Sequence, residues 1–155
     1  MSRHTAAVHW SRKPEEPFLD GRYGRAHRWR FDGGAEVAAS SSPSVVRVPF
    51  SDPAGVDPEE ALVAALSSCH MLFFLDFAKQ AKFVVESYED AAEGLMEKGG
   101  DGRVRMTRAI LRPLIRFAGA APSAEQLAAL HHRAHDACYI ANSVTTEVVV
   151  ETRAD

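Results

Sequence analysis

Two cysteines, Cys69 and Cys138, stand among the residue types that do thiol or metal chemistry. Cys69 follows Ser67 and Ser68 and precedes His70, in a run otherwise built from Ala, Leu, Val, Met and Phe. Polar groups in such company cost stability unless partners or a pocket satisfy them. Cys138 follows His131 and His135 at the spacing i, i+4, i+7, so all three can share one helix face. Three readings of these residues stay open. A free cysteine in an apolar helix is usually a small buried hydrophobe. The His131, His135, Cys138 face, with Cys69 or His70 as a fourth ligand, has metal-like spacing, but no paired-Cys motif of a structural zinc module accompanies it. The third reading is a thiol pair. Helices packed at about 8–10 Å can bring two Cα atoms within the roughly 7 Å a disulfide needs, and in a reducing compartment such a bridge is transient, catalytic or redox-sensing.

The element that must carry Cys69 is a helix over 57–82. Asp57 can cap it, Pro58 suits its first position, and Glu59 and Glu60 complement the dipole. From Ala61 to Leu75 no side is consistently polar, which predicts a buried helix. Upstream, N-terminal strands are expected within 1–50. Thr5 to Trp10 alternates, Tyr23 to Phe31 alternates, an Asp32-Gly33-Gly34 turn makes a hairpin with Ala35 to Ala39, and Val45 to Phe50 reads as a short strand. On the Tyr23, His27, Trp29 face, Arg25 is either half-buried or snorkels to solvent at a sheet edge.

Downstream, 84–117 predicts one long hairpin around Lys98 to Gly102, with Pro113 at an edge or bulge and Arg105, Arg108, Arg112 and Arg116 on a solvated face. Ser123 and Gln126 form a capping box for a second helix over 123–138, and 145–151 is a last strand. This order of elements is that of an α+β domain.

A chain of 155 residues with 46% hydrophobic content is long enough for a single domain, 1–155, with a real core. Its net charge is −3, with both signs interspersed and no Lys/Arg block. The expected partner is therefore a small molecule, with no nucleic acid and no membrane. Met1 to Lys13 lacks a secretory apolar run, and Asp76 and Lys79 interrupt the most apolar segment, so a cytoplasmic protein is expected.

The run from Asp57-Pro58-Glu59-Glu60 through Ser67-Ser68-Cys69-His70 resembles the signature of the OsmC/Ohr family, the osmotically inducible and organic hydroperoxide resistance proteins. So does Ala134-His135-Asp136-Ala137-Cys138-Tyr139-Ile140-Ala141-Asn142-Ser143. His70 points to the OsmC-like branch, and Tyr139 stands where hydroperoxide-resistance members usually carry proline.

The resemblance implies an OsmC-like fold, with antiparallel sheets around a long central helix, and a thiol peroxidase that reduces organic hydroperoxides. Cys69 falls in the attacking position, Cys138 in the resolving position, and Glu59 on the family glutamate. Arg25 falls on the family arginine, with Arg22 and Arg28 as alternatives. The implied cycle needs neither metal nor flavin, only an external dithiol or lipoyl-type reductant. A free thiol with a pKa near 8.5 must be activated. Cys69 lies too far along its helix for the dipole to act, so Arg25 held by Glu59 is the candidate.

Glu59 and Cys69 are ten residues apart, roughly 15 Å along the helix. One arginine can hardly join both within a chain, which predicts an intertwined homodimer with shared sites. The rival reading is a non-enzymatic stress protein that binds a small molecule or lipid and whose cysteines are structural.

Overall fold

The computed structural model describes residues 1–152, and its contacts divide into two compact units, Met1–Ala61 and Leu62–Asp155. In the first unit, β1 (Ala6–His9), β2 (His27–Phe31) and β3 (Glu36–Ala39) form an antiparallel sheet in that order, with Val8 opposite Trp29 and Trp29 opposite Val37. The predicted glycine turn closes the hairpin: Gly34, at φ 86, donates its N–H to the Phe31 carbonyl at 3.0 Å.

The strand expected over 45–50 does not form. Ser42 carbonyl oxygen accepts from Val45 and Val46, and Arg47 carbonyl oxygen accepts from Phe50. Those N–H groups are spent on local turns, and Pro49 has none to give to a ladder. Further on, a Cβ at Gly55 would lie 2.9 Å from the Ala39 carbonyl carbon. Only glycine lets this segment approach β3 closely enough for Val56 to bridge Ala39.

Helix α1 (Pro58–Gln80) crosses the boundary between the units. Its start is a capping box: Glu60 N–H donates to Asp57 Oδ1 at 2.7 Å, and Asp57 N–H to Glu60 Oε2 at 3.1 Å. Within the single chain Leu66, His70, Phe74 and Ala78 are the buried residues of this helix. These are four-residue steps along one face. Ala64, Ser68, Leu72 and Asp76, turned about 200° from them, form an exposed stripe. One small unit has elements to cover one side of a helix, and the other apolar residues of α1 stay partly open. By length and apolar content alone α1 resembles a membrane-spanning helix, as the core helices of many folded domains do. Its C-terminus is a Schellman-type cap, with Phe83 N–H on the Ala78 carbonyl at 3.0 Å and Lys82 left-handed at φ 65.

In the second unit the long hairpin is present but breaks at its middle. Strands β4 (Val84–Asp90) and β7 (Pro113–Ala118) pair as one ladder, and β5 (Glu93–Lys98) and β6 (Val104–Leu111) as another. Pro113 opens β7 in the two-stranded ladder, where both strands are edges. The arginine face is solvated and ion-paired: Arg105 with Asp101, Arg108 with Glu147, and Arg112 with Glu93 and Glu151.

Helix α2 (Ala124–Ala137) begins with the predicted Ser123/Gln126 capping box. A 3₁₀ turn (Ala141–Ser143) follows, and β8 (Glu147–Val150) then lies parallel to β6, a pairing absent from the antiparallel expectation. The connection from β6 to β8 contains α2, and a crossover of that length permits a parallel return. Two apolar clusters result. Phe74 and Ala78 pack with Leu130 and Ala134 of α2, and Leu66 packs with Met106 and Ala109 of β6.

Candidate active site

Helix α1 presents Cys69 partly exposed, and Cys138 is the C-cap of α2, 1% exposed. Both are free thiols and they are close neighbours: burial first, and also the adjacent Cys69 sulfur, push the Cys138 thiol above its ordinary value. The Ala141 N–H, donating to Cys138 Sγ at 3.4 Å, pulls the other way. The helix C-terminus carries the negative end of the dipole, which likewise disfavours a thiolate at Cys138. The segment that follows is held against α1 by Tyr139, whose ring meets Phe73 edge-on at 5.0 Å.

Three of the polar groups around Cys69 find protein partners. Ser67 Oγ donates to the Asp90 carboxylate, Ser68 Oγ to the Ala65 carbonyl at 3.4 Å, and His70 Nε2 lies 3.0 Å from His131 Nδ1. That last bond turns His131 onto α1, and His132 pairs with Asp136 at 3.4 Å. No three His, Cys, Asp or Glu side chains converge as a metal set among the described residues. Of the apolar residues flanking Cys69, Phe74 is fully buried core and Leu72 is 62% exposed.

The first unit has a pocket of its own, about 450 Å³, lined by Arg25 and Glu59 together with Val8, Trp10, Phe18, Tyr23, His27, Ser40, Ser41 and Pro58. Arg25 is held there on several sides. Its backbone N–H donates to the Phe50 carbonyl at 2.8 Å, Nη1 donates to the carbonyls of Gly21 (2.7 Å) and Tyr23, and the guanidinium lies 3.6 Å from the Tyr23 ring centroid. His27 Nδ1 is 2.7 Å from the Arg25 carbonyl, and His27 Nε2 accepts the Trp29 indole N–H at 3.0 Å. That acceptance fixes the tautomer: Nδ1 donates to the carbonyl.

Arg25 spends Nη1 on carbonyls and keeps Nε–H and both Nη2 hydrogens without a protein partner among the described residues. Such a fork suits an anionic or oxygen-rich group. Arg22 instead pairs with Asp20 at 2.6 Å, and Arg28 with Glu36 at 3.5 Å, both largely exposed. Arg25 and Glu59 share the pocket, yet no ion pair joins them among the described residues. Sequence reasoning missed Trp10, Phe18 and Tyr23 as pocket walls. Their rings pack at 4.6–6.2 Å across a Pro-containing connection whose path no periodicity announces.

Two helices that each carry a free cysteine, a hairpin folded at its middle and a parallel closing strand make up an α+β fold of the OsmC/Ohr type. A family model described as OsmC-like protein matches residues 51–153, and the chain belongs to that family. An OsmC-like protein of unknown function from Vibrio cholerae is 53% identical, with 99% of this chain and 100% of that one covered at a TM-score of 0.95. An organic hydroperoxide resistance protein from Elizabethkingia anophelis shares the fold at 16% identity and TM-score 0.74, covering 100% and 98% of the two chains. Another from Bacillus subtilis does so at 17% identity and TM-score 0.65, covering 96% and 98%. No curated protein matches the chain.

Proposed function

We propose that this protein is a thiol-dependent peroxidase that reduces organic hydroperoxides, lipid hydroperoxides among them, to alcohols. The observation that carries the reading is the pairing of a partly exposed Cys69 with a buried Cys138 on two different helices. Membership of a family with relatives described as organic hydroperoxide resistance proteins supports it. Two inert core cysteines have no need to meet, which counts against the ligand-binding alternative.

In the cycle, the Cys69 thiolate attacks a peroxide oxygen, the O–O bond breaks, and the alkoxide takes up a proton and leaves as alcohol. Cys69 is then a sulfenic acid. Cys138 attacks its sulfur, water leaves, and an external dithiol, lipoyl-type or similar, reduces the disulfide. Such a reductant fits a cytoplasmic setting.

Arg25 supplies positive charge and N–H donors to the thiolate and peroxide, and Glu59 holds it in place. The aromatic walls of their pocket favour bulky hydroperoxides over hydrogen peroxide. Glu59 lies about 15 Å along α1 from Cys69, so we infer a homodimer in which one protomer's Arg25 and Glu59 serve its partner's thiol. The exposed Val8, Trp10 and Phe18 beside the pocket, and the open stripe of α1, suit such a partner.

The deciding experiment is turnover of cumene hydroperoxide with dihydrolipoamide. Cys69→Ser should abolish it, and retained activity refutes the mechanism. After one equivalent of peroxide, non-reducing mass spectrometry should show the loss of two hydrogens in wild type.

A further inference from the structure

The stripe by which α1 packs into the second unit is polar at one buried position, His70. Leu66 on one side belongs to the cluster with Met106 and Ala109, and Phe74 on the other to the cluster with Leu130 and Ala134, so His70 marks the seam between them. There it meets His131 of α2, Nε2 to Nδ1 at 3.0 Å, with the rings 1% and 5% exposed, 5.3 Å apart and 10° from parallel. The outer nitrogens, His70 Nδ1 and His131 Nε2, are buried without partners among the described residues. In a neutral pair one ring donates and the other accepts, so one outer nitrogen is an orphan donor and the other an orphan acceptor, whichever tautomers are present. Two leucines would fill the seam without that penalty. Stability therefore does not explain the pair. What a hydrogen bond supplies and leucines lack is direction, since it fixes distance and rotation where apolar contacts let helices slide.

We propose that His70 and His131 are positioning residues whose hydrogen bond locks the roll of α1 against α2, keeping Cys138, the α2 C-cap, within reach of Cys69, the residue beside His70. This rests on the reading that the two cysteines form a disulfide. In that step Cys138 Sγ bonds to Cys69 Sγ as the S–O bond of the Cys69 sulfenic acid breaks, and the hydroxide leaves with the Cys138 thiol proton as water. The same disulfide forms without peroxide by exchange with oxidised glutathione, which becomes two reduced glutathiones.

The test is the equilibrium of the Cys69–Cys138 couple in glutathione buffers, measured beside the unfolding stability of the reduced protein. Glutamine reproduces the Nε2 of histidine and asparagine its Nδ1, so His70→Gln and His131→Asn should stay within about threefold of the wild-type equilibrium constant. The His70→Leu/His131→Leu protein should fall at least about tenfold, about 30 mV, while its reduced form is as stable as wild type or more so. A structural role alone would move both quantities together. If the double variant does not fold, His70→Met against His70→Gln makes the same comparison, with the loss expected in methionine alone. A leucine or methionine variant with the wild-type constant overturns the positioning role, as does a glutamine variant that loses as much as they do. A wild-type protein that forms no disulfide at any glutathione ratio overturns the parent reading and the positioning with it.

Discussion

Asp90 accepts the backbone N–H of Arg112 on Oδ1 at 2.6 Å and the Ser67 hydroxyl on Oδ2. One carboxylate thus clips the hairpin at its break and ties it to the helix turn that precedes Cys69. Hydrogen bonds to a charged acceptor are the stronger kind. Asp90→Ala should cost roughly 2 kcal/mol in urea unfolding, and Ser67→Ala about 1 kcal/mol. The double variant should cost less than the sum, because both report on one network. Strict additivity would show that the two contacts act separately.

Acid should act through the histidine pair. Burial holds His70 and His131 down to about 4, from 6.5, so the unfolded chain binds protons that the folded one refuses. Proton linkage at each ring leaves stability untouched above pH 6.5 and lowers it as pH falls toward 4. One ring accounts for on the order of 3 kcal/mol over that window. Urea midpoints should be flat from pH 8 to 7 and then decline, and the His70→Leu/His131→Leu protein should decline less. Equal slopes would remove the histidines as the cause.

Much of this architecture is legible in the chain, for local reasons. Asp57 with Glu60, and Ser123 with Gln126, announce both helix starts because capping boxes involve residues three apart. The Asp32-Gly33-Gly34 turn and the long hairpin are equally local. What escapes is decided by distant groups. No pattern at Val45 to Phe50 reveals that its N–H groups are spent on turns, and none at Val148 announces a parallel partner in Ala109. Cys69 and Cys138 stand out as residue types, and the structure brings them together. The clasp of His70 with His131, and the commitment of Arg25 to the carbonyls of Gly21 and Tyr23, depend on side-chain directions that spacing alone does not fix.

Arg25 should prove distinct from its neighbours. A lysine there cannot span two carbonyls, stack on Tyr23 and still offer a planar fork. Arg25→Lys is expected to lower kcat/KM for cumene hydroperoxide at least tenfold, about 1.4 kcal/mol of transition-state stabilisation. Arg22→Lys and Arg28→Lys should stay within about twofold, since both arginines make exposed pairs. A loss confined to either of those would move the role away from Arg25.

Shared sites can be tested by complementation. Glu59→Ala and Cys69→Ser proteins, each inactive alone, should recover activity when their subunits exchange, because one intact site forms in each mixed dimer. No recovery on verified mixing, or full activity from a monomer at nanomolar concentration, would rule out a site drawn from two chains.

The burial of Cys138 has a further consequence, for how the proposed cycle restarts. In thiol–disulfide exchange the reductant attacks one sulfur and expels the other, and a thiol of raised pKa departs slowly. Cys69 is the sulfur that solvent reaches, so attack there makes Cys138 the leaving group, and burial makes Cys138 reluctant to carry charge. Small monothiols should stall at the mixed disulfide, because the expelled Cys138 returns to the nearby sulfur. A dithiol escapes that trap by closing on itself. The proposed cycle should therefore turn over faster with a dithiol than with a monothiol of equal concentration.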